Sequence, residues 1–172
     1  DGRQHVQDLL TLFRALHHRA DRVHWLALLR APWCGLKLAD LHVLAADNKK
    51  QTIWELMQDD ARVASLSEDG RQRLLHVRAV LQTAFTGRGR QHPRRWLEGV
   101  WLMLGGPRCL EAPEALNDVE AFFKLVDKLV AARNLSAETL AAHAAELYAP
   151  SDPLGDAVQM MTVHKSKGLE FD

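Results

Sequence analysis

The sequence predicts an all-α fold, a multi-helix, bundle-like domain with one β-strand at its C-terminal end. Three observations predict it. Apolar residues recur at the i, i+3, i+4, i+7 spacing of a helix with one buried face through most of the chain. Ser and Thr at helix starts, and Gly and Pro at helix ends, punctuate those stretches. A single short, β-prone apolar run, Val158 to Val163, stands apart near the end.

In chain order, Val6, Leu9, Leu10, Phe13 and Leu16 place an amphipathic helix over residues 4–18. A second helix over 21–31 carries Trp25, Leu26, Leu28 and Leu29, and Pro32 stops it by disfavouring helix at the preceding residue. Trp33-Cys34-Gly35-Leu36 reads as a turn, followed by a short helix over 37–46. Thr52-Ile53-Trp54-Glu55 is a capping box that opens another short helix reaching Met57. Ser67 is an N-cap with Glu68 and Asp69 in the first turn, where acids suit the helix dipole, and Leu74, Val77, Leu81, Ala84 and Phe85 carry that helix to Gly87.

After a loop over 88–93, Trp96, Leu97, Val100, Trp101 and Leu104 form one apolar face, ended by Gly105-Gly106-Pro107. The clearest periodicity follows over 114–133, through Leu116, Val119, Phe122, Phe123, Val126, Leu129 and Val130. Ser136 caps a last helix with Leu140, Ala144, Leu147 and Tyr148 on one side. Ala149 to Gly155, with two prolines, reads as a linker, so the division falls into a helical unit over 1–155 and a second unit beginning at 156. A single strand is not a sheet, and the sequence stops at Asp172 inside a patterned stretch; both predict a piece cut from a larger protein.

Composition bounds the function. At 172 residues with 47% apolar content, the chain suits one domain with a sizeable core, or one domain and part of another. Its 22 acids balance 22 bases, so any nucleic-acid-binding surface must be local rather than a matter of net charge. Cys34 and Cys109 are distant and form no metal-binding pair, which fits small buried apolar residues in a reducing cytoplasm. No stretch has the length of a transmembrane helix, and the first residues do not read as a signal peptide, so no membrane partner is expected.

The densest polar chemistry lies at the end: Thr162, His164, Lys165, Ser166, Lys167 and Gly168 directly follow the β-prone run. A strand handing over to a Lys- and Gly-containing turn presents amides, cations and hydroxyls to anionic oxygens. Lys167 precedes Gly168, so this is not a Walker A loop, which needs GxxxxGK[ST]. The stretch resembles motif V of superfamily 1A DNA helicases of the UvrD, PcrA, Rep and RecB/AddA kind, with Thr162, His164, Lys167, Gly168, Leu169, Glu170 and Phe171 fitting position for position. The resemblance implies that 1–155 is a helical 2B insertion subdomain and that 156–172 begins the second half of RecA-like domain 2A. It further implies that Thr162 and His164 lie along the single-stranded DNA backbone, that Lys167 and Gly168 occupy the turn between DNA and nucleotide, and that Glu170 reaches the ATP ribose.

Arg30-Ala31-Pro32-Trp33-Cys34-Gly35-Leu36-Lys37 is similar to the helix-to-loop segment of such helicases that touches duplex DNA, with Pro32, Gly35 and Leu36 matching. Cys34 stands where a basic residue is usual and Lys37 replaces a Gly. Two readings stay open. Gly35, Leu36 and Lys37 approach a phosphate through the Gly turn, or the segment is a Pro/Gly helix break with Trp33 packed inward. The region from Val6 to Lys37 is most similar to the exonuclease V β-like branch.

Arg88, Arg90, His92, Arg94 and Arg95 crowd into eight positions without an acid before Glu98. They are either a solvated loop or a set of phosphate contacts, for which arginine is well suited. The nine histidines include no HxxxH or HExxH pattern, so no metal is expected, and no spacing supports a nucleophilic triad. Trp25, Trp54, Trp96 and Trp101 sit on apolar faces as core residues, leaving Trp33 as the one candidate for base stacking.

The expected parent is therefore a bacterial, cytoplasmic, ATP-dependent DNA helicase using ATP and Mg²⁺ on single strands and duplex junctions, with helicase–nuclease subunits as further partners. No Walker Lys, Mg²⁺-holding acid or arginine finger is recognisable, so this chain alone is expected to lack ATPase. The alternative from a different class is a helical protein–protein adaptor.

Overall fold

The computed structural model describes residues 3–149. Nine α-helices run in order among them: α1 (Gln4–His17), α2 (Arg22–Arg30), α3 (Leu38–Ala45), α4 (Ile53–Met57), α5 (Asp60–Ala64), α6 (Glu68–Thr86), α7 (Pro93–Met103), α8 (Ala115–Ala131) and α9 (Ala137–Leu147). No strand occurs among the described residues, and the expected strand at 158–163 and the unit at 156–172 lie outside them. The all-α reading holds for the part described.

The helix starts follow local chemistry. The Thr52 hydroxyl accepts from the Glu55 amide while the Glu55 carboxylate accepts from the Thr52 amide, so the expected capping box is formed. Ser67 caps α6 through the Gly70 amide, and Ser136 caps α9 through the Thr139 amide. Two short elements escape the periodic pattern. α5 spans five residues and buries only Val63, so no period has room to show; its start is marked by Asp59, whose carboxylate accepts from the Arg62 amide. A 3₁₀ turn at Gly106–Cys109 follows α7.

α1 is the central element, packing on α2, α7, α8 and α9, which explains why it buries residues on several sides. α2 to α6 form an arc: α2 and α3 both pack on α4, α4 packs on α5, and α5 packs on α6. One continuous core runs through both groups. Trp25, Trp54 and Phe85 cluster with ring centroids 5.0–6.3 Å apart and tie α2, α4 and α6 together. The Trp96 indole N–H donates to the Ala84 carbonyl at 2.9 Å, fixing α7 to the end of α6. Trp101 and Phe123 hold α7 against α8 edge-on. The four tryptophans expected in the core are buried.

Two carboxylates are buried, Asp8 on α1, which accepts from the Gln4 side chain, and Asp40. Asp40 on α3 is buried, and its carboxylate accepts from both the amide and the hydroxyl of Ser67 at 2.8 Å. The carboxylate thus sits on the N-terminus of α6, where the helix dipole favours an anion. Gly70 makes room for it: a Cβ there would lie 2.4 Å from Oδ2 of Asp40.

Two residues assigned to buried faces are exposed. Leu116, in the first turn of α8, is 52% exposed, and Leu147, at the end of α9, is 50% exposed. Both follow the helical period, but Leu116 lies in the first turn of α8 and Leu147 lines an open groove beside α8, so neither is covered. Cys34 is buried as expected, whereas Cys109 is half-buried.

Candidate nucleic-acid interface

The turn between α6 and α7 is built by three residues. Gly87 ends α6, Gly89 takes a left-handed conformation at φ +76°, and Pro93 starts α7 with a preset φ. Nothing lies within 4 Å of where a Gly89 Cβ would sit, so the tip stands clear of the body. Arg88, Arg90 and Arg95 are exposed there, and none joins an ion pair among the described residues. The N-cap, His92, provides no side-chain cap, so the first-turn amides of α7 lack a side-chain acceptor at the same place. Cations and free helix-start amides together suit a phosphate oxyanion.

Arg94 differs. Its guanidinium donates to Asp127 at 2.7 Å, to Glu120 at 3.1 Å and to Glu98 at 3.4 Å, and it lies 5.8 Å from the Phe123 ring centroid. The Asp127 hydrogen bond, followed by Glu120, raises the guanidinium's pKa further above its ordinary range. With three carboxylates around it, Arg94 clamps α7 to α8 and presents no free charge. This removes it from the expected phosphate contacts for a simple reason: acids from another helix, invisible in the local sequence, neutralise it.

The fold adds cations that spacing did not reveal. Arg19, in the connection from α1 to α2, places its guanidinium 4.0 Å from the Phe85 ring centroid, beside the end of α6. His17 stacks on Phe13 with centroids 4.0 Å apart and meets Trp96 edge-on at 5.6 Å. Burial pushes the His17 imidazole below its ordinary pKa, more than its Nδ1–H bond to the Phe13 carbonyl restores, and Arg88 and His18 push the same way as burial. His17 therefore favours the neutral form, while Arg19, packed on Phe85, borders the arginine turn. The only sequence signal for Arg19 is a cation beside a helix end; its place comes from packing.

The segment 31–37 behaves otherwise. Gly35 is left-handed at φ +63°, but its N–H donates to the Ala31 carbonyl at 2.8 Å and the Leu36 N–H donates to the Leu29 carbonyl at 2.9 Å. Both amides that were expected to reach phosphate are spent closing the end of α2. Leu36 and Cys34 are buried, and burial pushes the Cys34 thiol up to about 12. Arg73 from α6 donates to the Cys34 carbonyl at 3.2 Å, fastening the turn inward. The Trp33 indole is half-buried and donates to the Leu28 carbonyl at 3.1 Å, so it is a packing residue rather than a free stacking platform. Of the three expected contacts here, only the Lys37 side chain faces solvent.

Thr162, His164, Lys167, Gly168 and Glu170 lie outside the described residues, so the residues that would meet ATP carry no geometry. Among the described residues no three His, Cys, Asp or Glu side chains converge as a metal site. No helix among them is long and apolar enough to cross a membrane. No family model matches the chain, and neither a curated protein nor a solved structure matches it.

Proposed function

We propose that this chain is the helical 2B subdomain of a UvrD/RecB-type, ATP-dependent DNA helicase of repair or recombination, acting as a duplex-facing or regulatory module. The observation that carries DNA contact is the set of exposed arginines without an ion pair among the described residues, Arg88 and Arg90 on the α6–α7 turn and Arg95 in the first turn of α7. The class rests on the motif V-like sequence from Thr162 to Phe171. In this reading ATP and Mg²⁺ belong to the motor domains of a cytoplasmic bacterial parent, and Glu170, Lys167 and Gly168 would contribute only the edge of that nucleotide site. In this reading the chain alone has no ATPase, because it carries no Walker loop.

Contact with phosphates through a few arginines is blind to sequence and releases counterions. The test is fluorescence anisotropy of the chain with forked, duplex and single-stranded DNA over a salt series. The expected result is fork or duplex binding that weakens steeply as salt rises. Absence of binding at low salt would remove DNA contact and leave the module to partner subunits or autoregulation.

A second reading, a protein–protein adaptor, is favoured by one observation: Val23 and Leu38 are 73% and 69% exposed on neighbouring helices.

A further inference from the structure

We infer that the groove between α2 and α3 docks an acidic-flanked amphipathic helix of a partner protein. α2 and α3 both lean on α4 and leave a gap of about 430 Å³ between them. Its floor is aliphatic, with Leu26 and Ala27 of α2 facing Leu38 and Leu41 of α3. On α2, Val23, Leu26 and Ala27 share one side of the helix, with Arg30 one turn further on, so the solvent side of this helix carries an apolar stripe that ends in a cation. Val23, 73% exposed, lies on the same side of α2 as Leu26 and Ala27 and extends the apolar surface. Aliphatics this exposed on a polar-rimmed surface mark an interaction site rather than a core.

The rim decides the occupant. Arg22, Arg30, His42 and Lys49 border the groove, and none of its lining residues is an acid. The nearby acids are already engaged: Asp21 pairs with Arg14 and His24, Asp47 pairs with Arg62, and Asp40 is buried on Ser67. Arg22 is held in place by the Ala45 and Gln51 carbonyls, so it closes one end of the groove without losing its charge to a carboxylate. An apolar stripe flanked by Glu or Asp complements an aliphatic floor with a cationic rim. A nucleic acid does not, because its phosphates would strand Val23, Leu26 and Leu38 against a polar backbone. The inference holds with or without the helicase reading.

The experiment is display selection of a randomised 16-residue helical peptide library on the whole 172-residue chain. The best enriched peptide is then titrated by anisotropy against the wild type, Leu38→Glu and Arg30→Glu. Both substituted positions are exposed, and circular dichroism with thermal unfolding checks that the variants fold. The expected peptides carry aliphatics at i, i+3, i+4 and i+7 with net negative charge, and bind each variant at least about tenfold more weakly. No enrichment, enrichment of neutral or basic peptides, or unchanged binding to Leu38→Glu overturns the inference. Duplex DNA displacing the peptide would reassign the groove to nucleic acid. Sedimentation showing a dimer that Leu38→Glu dissolves would reassign it to a second copy of the chain. Alanines at Arg88, Arg90 and Arg95, which lie outside the groove, separate its failure from that of the DNA reading.

Discussion

Among the described residues, two glycine-bearing turns carry basic or DNA-like sequence signals, and one is tied to the body while the other stands open. The turn at 31–37 spends its amides on the end of α2, buries Cys34 and Leu36, and accepts a guanidinium from α6. The turn at 87–93 has open space around Gly89 and displays Arg88 and Arg90. Both use a left-handed glycine, so backbone freedom does not distinguish them. The neighbours do: two apolar side chains anchor the first turn, and the second has none between Gly87 and Pro93. Both turns spend amides on their own helix ends, since Gly87 and Arg88 donate back into α6 and Arg90 donates to Gly87, so what the second turn leaves available is its side chains.

Substitutions break this comparison at different strengths. The largest effect is expected for Cys34→Arg, which installs the cation usual in the similar helicase segment. Here it would bury an unpaired charge and cost about 3–5 kcal/mol, whereas Arg90→Glu on the outward turn leaves stability within about 0.5 kcal/mol. Urea unfolding of both variants measures the contrast. Next, Arg94→Ala removes the partner of three carboxylates and lowers stability by about 1–2 kcal/mol, while the exposed neighbour Arg95→Ala stays within about 0.5 kcal/mol. Gly35→Ala and Gly89→Ala each cost about 1 kcal/mol for a left-handed backbone. A cost-free Gly89→Ala in the same denaturation series would show that the outward turn does not hold its geometry.

The smallest effect is a pH dependence. The folded state lowers the His17 pKa, so the unfolded chain binds the proton more readily. Stability from this group is present above the ordinary histidine pKa of about 6.5 and falls as pH drops below it toward the lower folded value. Arg88→Ala, which removes one of the charges opposing protonation, should shallow that decline in thermal unfolding followed between pH 7 and pH 5.

Most of the helical architecture was legible because caps and periods agree. Thr52, Ser67 and Ser136 announce helix starts that the structure realises, and the α8 pattern runs from Val119 to Leu129 as a buried stripe. α5 was not legible, since one buried valine in five residues has no period. Leu116 and Leu147 misled because periodicity states which side a residue faces and not whether another helix covers it. The candidate site was half legible. Proximity in sequence grouped Arg88, Arg90 and Arg95, which stay exposed, with Arg94, whose partners Glu120 and Asp127 come from α8. It left out Arg19, which reaches the same place only through its packing on Phe85.

The account turns on the α6–α7 turn being the surface that meets phosphate. The most direct measurement is the slope of log binding constant against log salt for a forked DNA, taken for the wild type, for the triple alanine variant at Arg88, Arg90 and Arg95, and for Lys37→Ala. Each phosphate contact contributes about 0.9 to that slope, so the triple variant should lose about 2–3 of it and Lys37→Ala should leave it unchanged. A triple variant with the wild-type slope, or a larger loss from Lys37→Ala, would contradict the account and return the DNA contact to the turn at 31–37.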